Sequence, residues 1–302
     1  MRFRWLMVLS LFSVWLSACD DATSAGDGGP TPDNDGSVDA AADGENAEEF
    51  EAHAEVEPNS GTPFTEVNAL AVGWDMSGTI GDVGDADVFL LPTEAGHIYR
   101  LELTAPAGSD LDGVLTVMDS GRHDEAPGDD FVKVSKEPGG ASAVLEFVAF
   151  GAGHYVIVRD NRNLGAATVG GSTYTYTLRV KEVPVADRVA RMLTFPSSFD
   201  DTLEDAGGVR LYAFNVDQGT DIEIDLDARQ LEPASDIDAR MYVWSKATGA
   251  WGARNDDDAG TEDSFLAAPL PIGGDLYLLV ENVESTKKET DLPYHLRESL
   301  PN

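Results

Sequence analysis

Cysteine is all but missing: Cys19 is the only one in 302 residues. No intrachain disulfide can form, so the folded part must hold together by burial and hydrogen bonding. Basic residues are scarce as well. Twenty Lys and Arg face 55 Asp and Glu, a formal net charge of −35. Such a surface cannot neutralise a phosphate backbone, which excludes nucleic-acid binding, and it is repelled by anionic lipid head groups. It suits salty surroundings, divalent cations or a basic partner. The histidines are His53, His97, His123, His154 and His295. No two are four residues apart and no His-Glu-x-x-His stretch occurs, which excludes a helical zinc-protease site. His97 and His154 fall in strand patterns and are expected at the surface or on edges. There is no Gly-x-Ser-x-Gly elbow, phosphate-binding loop or dinucleotide fingerprint.

Long apolar runs are absent after the first residues. Trp5 to Leu16 is apolar, follows Arg2 and Arg4, and is too short for a comfortable membrane span. It ends in Leu16-Ser17-Ala18-Cys19, which resembles a bacterial lipobox. The resemblance implies a signal peptide over residues 1–18 and a lipid on Cys19 that anchors an exported protein to the bacterial cell envelope. The alternative is an ordinary secretory signal with a chance cysteine. Asp20 and Asp21 favour inner-membrane retention in enteric bacteria but not in other lineages, so the membrane and its side stay open. Residues 19–54 have no Lys or Arg, and Phe50 is their only large apolar residue. Such a stretch cannot offset its chain entropy by burial, so a disordered acidic tether is expected. Asp-Asn-Asp-Gly at 33–36 lacks the later oxygens of a calcium loop and reads as linker.

What is present from residue 65 on is alternation. His97–Leu103, Thr173–Val180 and Thr220–Asp227 each put apolar and polar residues on opposite faces. Turn residues cluster between them, and no long stretch repeats every 3.6 residues. Ala186–Leu193 could form a helical turn or two. An internal repeat runs through the pattern. SDLDGVLTVMD (109–119) aligns with SDIDARMYVWS (235–245), DVFLL (87–91) with RLYAF (210–214), and GHYVIV (153–158) with GDLYLLV (274–280) after one insertion. The expected architecture is all-β: two tandem antiparallel sandwiches of jelly-roll type, over residues 55–183 and 187–302.

EVEPNSGTPFTEVNALAVG, GDADVFLL, SDLDGVLTVMD, GHYVIV and TYTYTLRV together resemble the bacterial pre-peptidase C-terminal domain, a relative of the collagen-binding domains of clostridial collagenases. The match is good over about residues 55–182 and looser over 187–300. It implies a non-catalytic β-sandwich found beside secreted peptidases or at cell surfaces. In the collagen-binding relatives an acidic N-terminal segment binds calcium together with carboxylates before an early strand. Carried over by motif, the ligands are Glu55, Glu57 and Asn59 with Asp85 and Asp87, and Asp82 as a further candidate. Hard oxygens in this number suit Ca2+. The other reading is linker acid followed by a polar turn. The second repeat has Gly208 and Arg210 opposite Asp85 and Asp87 and should lack the site.

Two weaker candidates remain. Asn255, Asp257 and Gly260 half-match a calcium loop, but Ala259 stands where an oxygen is needed. Tyr242, Trp244 and Trp251 could form an aromatic platform for a glycan or peptide if exposed, and core if not. The sequence supports a lipid-anchored binding or adhesion module for an extracellular polymer, peptide or glycan. It also supports an accessory or assembly subunit bound to an envelope protein. A hydrolase assembled from distant strands is the third reading.

Overall fold

The computed structural model describes residues 49–59, 67–121, 132–136, 142–165, 168–204, 207–235, 237–255, 263–285 and 292–300. The signal segment, Cys19, Asp-Asn-Asp-Gly 33–36, His123, Asp257 and Gly260 lie outside these residues. In chain order the first ten strands are β1 (Glu51–Ala54), β2 (Asn68–Ala69), β3 (Trp74–Thr79), β4 (Ala86–Pro92), β5 (Ile98–Thr104), β6 (Gly113–Asp119), β7 (Val132–Lys136), β8 (Ser142–Val148), β9 (Gly153–Asp160) and β10 (Thr175–Val183). They continue as β11 (Val189–Met192), β12 (Ser197–Leu203), β13 (Val209–Val216), β14 (Asp221–Asp227), β15 (Ala239–Ser245), β16 (Trp251–Asn255), β17 (Ser264–Pro269), β18 (Gly274–Asn282), β19 (Glu284–Ser285) and β20 (Leu292–Ser299). Among the described residues there is no α-helix, and none long and apolar enough to cross a membrane.

The strands form two sandwiches. One sheet of the first runs β1-β3-β10-β5-β8, and the other runs β7-β6-β9-β4-β2 with β19 added beside β7. The second sandwich has sheets β12-β20-β14-β17 and β16-β15-β18-β13-β11. Apart from β1 and β19 the two orders are the same strand for strand. Each core follows from period-two alternation. In β14, Ile222, Ile224 and Leu226 are buried and join the second core, while Asp221 and Glu223 face out. In β10, Tyr176, Leu178 and Val180 do the same for the first core.

One local expectation is corrected and another is met in part. The tether was expected to stay disordered to residue 54, but β1 pairs parallel with β3, from Glu51 opposite Trp74 to Ala54 opposite Ser77. His53 stacks on Trp74 with ring centroids 3.6 Å apart, and Arg179 lies over Phe50. Main-chain pairing and two aromatic contacts supply the stabilisation that composition did not suggest. The candidate helical turn at 186–193 is a short 3-10 turn, Val185–Arg188, running into β11.

The sandwiches pack directly on each other. Ile98, Val148 and Val183 of the first cluster with Val209, Leu211, Tyr242, Trp244, Tyr277 and Leu279 of the second. The parallel pairing of β19 with β7 carries a sheet across the junction. Glu146 of β8 accepts bonds from Arg100 (2.9 Å) and from Arg188 in the connecting turn (2.8 Å to Nε). Burial alone would raise the Glu146 carboxyl, but Arg188 and Arg100 hold it below its ordinary value. At Gly207 a Cβ would fall 2.0 Å from the Val144 carbonyl, so only glycine allows this approach. Tyr242 and Trp244 are therefore not a ligand platform: they are 2% and 1% exposed, buried by the first sandwich. Trp251 alone of the three is at the surface, 36% exposed. His154 is also not a surface residue. It is buried against Phe147 with Nδ1 2.9 Å from Thr93 Oγ1.

Candidate metal centre

The incoming segment crosses from one sheet of the first sandwich to the other. The Glu55 amide bonds the Ser77 carbonyl at 3.0 Å, extending the β1–β3 pairing. The side chain of Asn68 then clasps Val56, accepting from its amide at 3.0 Å and donating to its carbonyl at 2.9 Å. At the far end the Val88 amide of β4 donates to the Asn59 carbonyl at 3.1 Å. The segment thus bridges the two sheets at the open edge of the sandwich, with Glu55 partly buried and Glu57 at the surface.

Carboxylate oxygens of Glu55, Glu57 and Asp87 lie within 4.8 Å of one another. Asp87 and Asn59 have no solvent exposure. Tyr176 of β10 donates to Asp87 Oδ2 at 2.6 Å and lies 2.8 Å from Glu55 Oε2. Asn59 donates from Nδ2 to Glu55 (3.1 Å) and from its amide to Glu57 (3.0 Å). The Thr79 amide also donates to Glu55. Gly78 makes the space: a Cβ there would sit 2.3 Å from the Tyr176 hydroxyl and 2.6 Å from Glu55 Oε2.

Of the predicted ligands, the structure brings together Glu55, Glu57, Asn59 and Asp87. Asp85 stands outside the cluster, with Oδ1 accepting from the Ala86 amide at 2.8 Å, and Asp82 is exposed. Tyr176, Gly78 and Thr79 were not anticipated. The available signal was Tyr-x-Leu-Arg, which ends both repeats at 176–179 and 294–297.

Electrostatically the cluster is short of positive charge. Burial, then the Glu55 charge, push the Asp87 carboxyl up to about 9, although the Tyr176 hydrogen bond opposes the rise. Glu57 is raised by burial and by the charges of Glu55, Asp85 and Asp82, against the Asn59 amide bond. The Tyr176 hydroxyl is held well above its usual range by burial and by the charges of Asp87 and Glu55. Two acceptor atoms, Asn59 Oδ1 and Asp87 Oδ1, are buried without a hydrogen bond. A buried acceptor left unpaired costs about 1–3 kcal/mol. Three carboxylates, an amide oxygen and no nitrogen or sulfur donor make a set suited to calcium, with water completing its six to eight ligands.

The other candidates look different. Asn255 Nδ2 donates to the Phe265 carbonyl at 2.6 Å, and Asp263 accepts the Ala228 and Arg229 amides, each at 2.8 Å. These ends of the acidic loop are committed to the backbone. Ser198 Oγ lies 2.8 Å from His295 Nε2, and His295 Nδ1 lies 2.6 Å from Asp200. This order of contacts matches a hydrolytic triad, but Asp200 is 86% exposed and the three sit on adjacent strands of one outer sheet face.

No protein-family model matches the chain, and no curated protein matches it in sequence. Among solved structures it is similar to the pre-peptidase C-terminal domain of a collagenase from Bacillus anthracis. The identity is 16% and the TM-score 0.27, over 36% of this chain and 95% of that one. It is also similar to the CUB1-EGF-CUB2 domains of human MASP-1/3, at 7% identity and a TM-score of 0.21, over 72% of this chain and 94% of that one. A third is the M60 catalytic domain with two CBM51 domains of ZmpB from Clostridium perfringens: 10% identity, TM-score 0.23, 76% of this chain and 34% of that one. These likenesses concern β-sandwich architecture alone.

Proposed function

We propose that the chain is a non-catalytic binding module of the cell envelope, made of two tandem sandwiches like the pre-peptidase C-terminal domain, the first carrying a structural calcium ion. Glu55, Glu57 and Asp87, with the Asn59 oxygen, would hold the ion. One observation carries the metal reading: three carboxylates converge, and one of their oxygens, Asp87 Oδ1, and the neighbouring Asn59 Oδ1 are buried without a hydrogen bond. The ion supplies the positive charge that Asp87 otherwise takes as a proton. Its effect is mechanical, since the segment it would hold spans the two sheets. With a lipid on Cys19, the pull of the membrane would reach the fold through this junction.

The adhesion role, with an extracellular polymer, peptide or glycan as ligand, rests on the sequence resemblance. An accessory role beside an envelope protein uses the same fold and anchor. The hydrolase reading begins from Ser198, His295 and Asp200. We read these as a surface hydrogen-bond ladder, because water screens an exposed Asp and weakens its hold on the histidine. The metal reading is tested by calcium titration in a calorimeter, with thermal unfolding in calcium and in EGTA. Saturable binding with a raised midpoint supports it, and an unchanged midpoint removes it. Labelling with a fluorophosphonate tests the ladder: Ser198 should remain unmodified.

A further inference from the structure

The second sandwich has the same opening between its sheets, and a different solution. Tyr294 pairs with Asp201 as Tyr176 pairs with Gly78. Arg210 pairs with Val280 as Asp87 pairs with Val158. An acid therefore stands where the small residue was, and an arginine where the buried acid was. In the first sandwich the Glu55 carboxylate enters over Gly78 from outside. In the second, the Asp201 side chain grows from the strand itself into the corresponding volume, and the residue facing it is a cation.

Arg210 Nη2 lies 3.1 Å from Asp201 Oδ1 and Nη1 lies 3.4 Å from Glu204. The Tyr212 hydroxyl donates to Asp201 Oδ2 at 2.9 Å, and Tyr212 and Tyr294 share a further hydrogen bond. Asp201 is 11% exposed and Arg210 27%. The ion pair joins β12 of one sheet to β13 of the other, so it spans the gap that residues 55–59 span in the first sandwich.

We infer that Arg210 is the built-in cation of the second sandwich, serving Asp201 and its tyrosine pair as a metal ion serves Glu55, Glu57 and Asp87. The position shared by Asp87 and Arg210 then sets which sandwich takes a cation from solution. This rests on the calcium reading for the first sandwich. It predicts one ion per chain, and a second sandwich indifferent to calcium. The guanidinium is suited to the part because it stays charged and offers several donors in a fixed fork.

The test uses the full chain with Arg210→Met, Asp201→Asn, the two combined, and Arg210→Lys. Thermal midpoints are read in EGTA and in calcium, and calcium stoichiometry by calorimetry. Arg210→Met should lower the midpoint in EGTA and in calcium alike, because it strands a half-buried carboxylate. Asp201→Asn added to it should restore at least half of that loss, and Arg210→Lys should lose less than Arg210→Met. Stoichiometry should stay at one ion throughout. Additive losses in the double variant would overturn the inference by showing that Arg210 contributes packing only. Two ions in the unaltered chain would overturn it as well. A chain that binds no calcium but keeps the Arg210–Asp201 coupling defeats the metal reading while leaving Arg210 as the charge Asp201 requires.

Discussion

In the first sandwich the gap between the sheets is crossed by a segment without a counterpart in the second, residues 55–59, which brings Glu55 and Glu57 to the buried Asp87. In the second, the gap is crossed by Asp201 and Arg210, both strand residues of the repeat. The strand order is shared, so this difference isolates what a few charges do. In the second sandwich the acid already has a cation beside it, the Arg210 guanidinium. A sandwich lined only with acids depends on what the solution provides, a proton or a metal, and can couple that supply to the chain leading into it.

The comparison breaks most severely at the junction. Trp244 and Met118 hold equivalent places on equivalent outer faces, but Trp244 is buried by the first sandwich while Met118 is only partly covered. Trp244→Ala should cost ~3–5 kcal/mol in urea unfolding, the range for truncating a buried aromatic. Met118→Ala should cost clearly less. Equal losses would mean that the docking of the sandwiches adds little.

Next in size is calcium itself. At a thousandfold excess over its Kd a ligand stabilises by about 4 kcal/mol, or ~10 °C for a unit of this size. Differential scanning calorimetry should show that gain in the unaltered chain and its absence in Asp87→Asn. In EGTA, Asp87→Asn should be no less stable than the parent at pH 8, because the parent must either bury a repelled charge or keep Asp87 protonated.

Acid should also distinguish the sandwiches. Burial lowers the His154 imidazole to about 4 from an ordinary 6.5, with the Asp119 charge opposing the fall. The unfolded chain takes the proton first. This contribution to stability is therefore complete above about pH 6.5, is lost as pH falls towards 4, and levels off below that. The loss is on the order of 3 kcal/mol. Leu276 holds the same place in the second sandwich, since it pairs with Phe214 as His154 pairs with Leu91. His154→Leu should flatten the acid limb of a stability–pH profile measured with calcium present. The smallest effect is expected at Trp251, which is 36% exposed at the sheet edge: Trp251→Ala should cost under about 1 kcal/mol.

Much of the fold could be read from the sequence, because period-two alternation and repeat alignment report directly on strands. TDIEIDLD forms β14 with its buried face as written, and the gapless 109–119 and 235–245 alignment places β6 and β15 in equivalent positions. The metal candidates were half legible. Glu55, Glu57, Asn59 and Asp87 stood in motifs, whereas Asp85 did not join them because its carboxylate turns to the next amide. Tyr176 and Gly78 were hidden, since their role depends on which strands meet across the sandwich. The aromatic platform failed for a related reason. Tyr242 and Trp244 alternate as outward residues of a sheet, and alternation cannot tell water from a second domain on that side. At 51–54, composition argued for disorder while a free sheet edge supplied hydrogen-bond partners that composition does not encode.

The most direct measurement is a calorimetric calcium titration of the full chain at pH 7.5, run beside Asp87→Asn and Arg210→Met. The account predicts one ion per chain, none for Asp87→Asn, and one for Arg210→Met. No binding by the unaltered chain, or binding that survives Asp87→Asn, would contradict it.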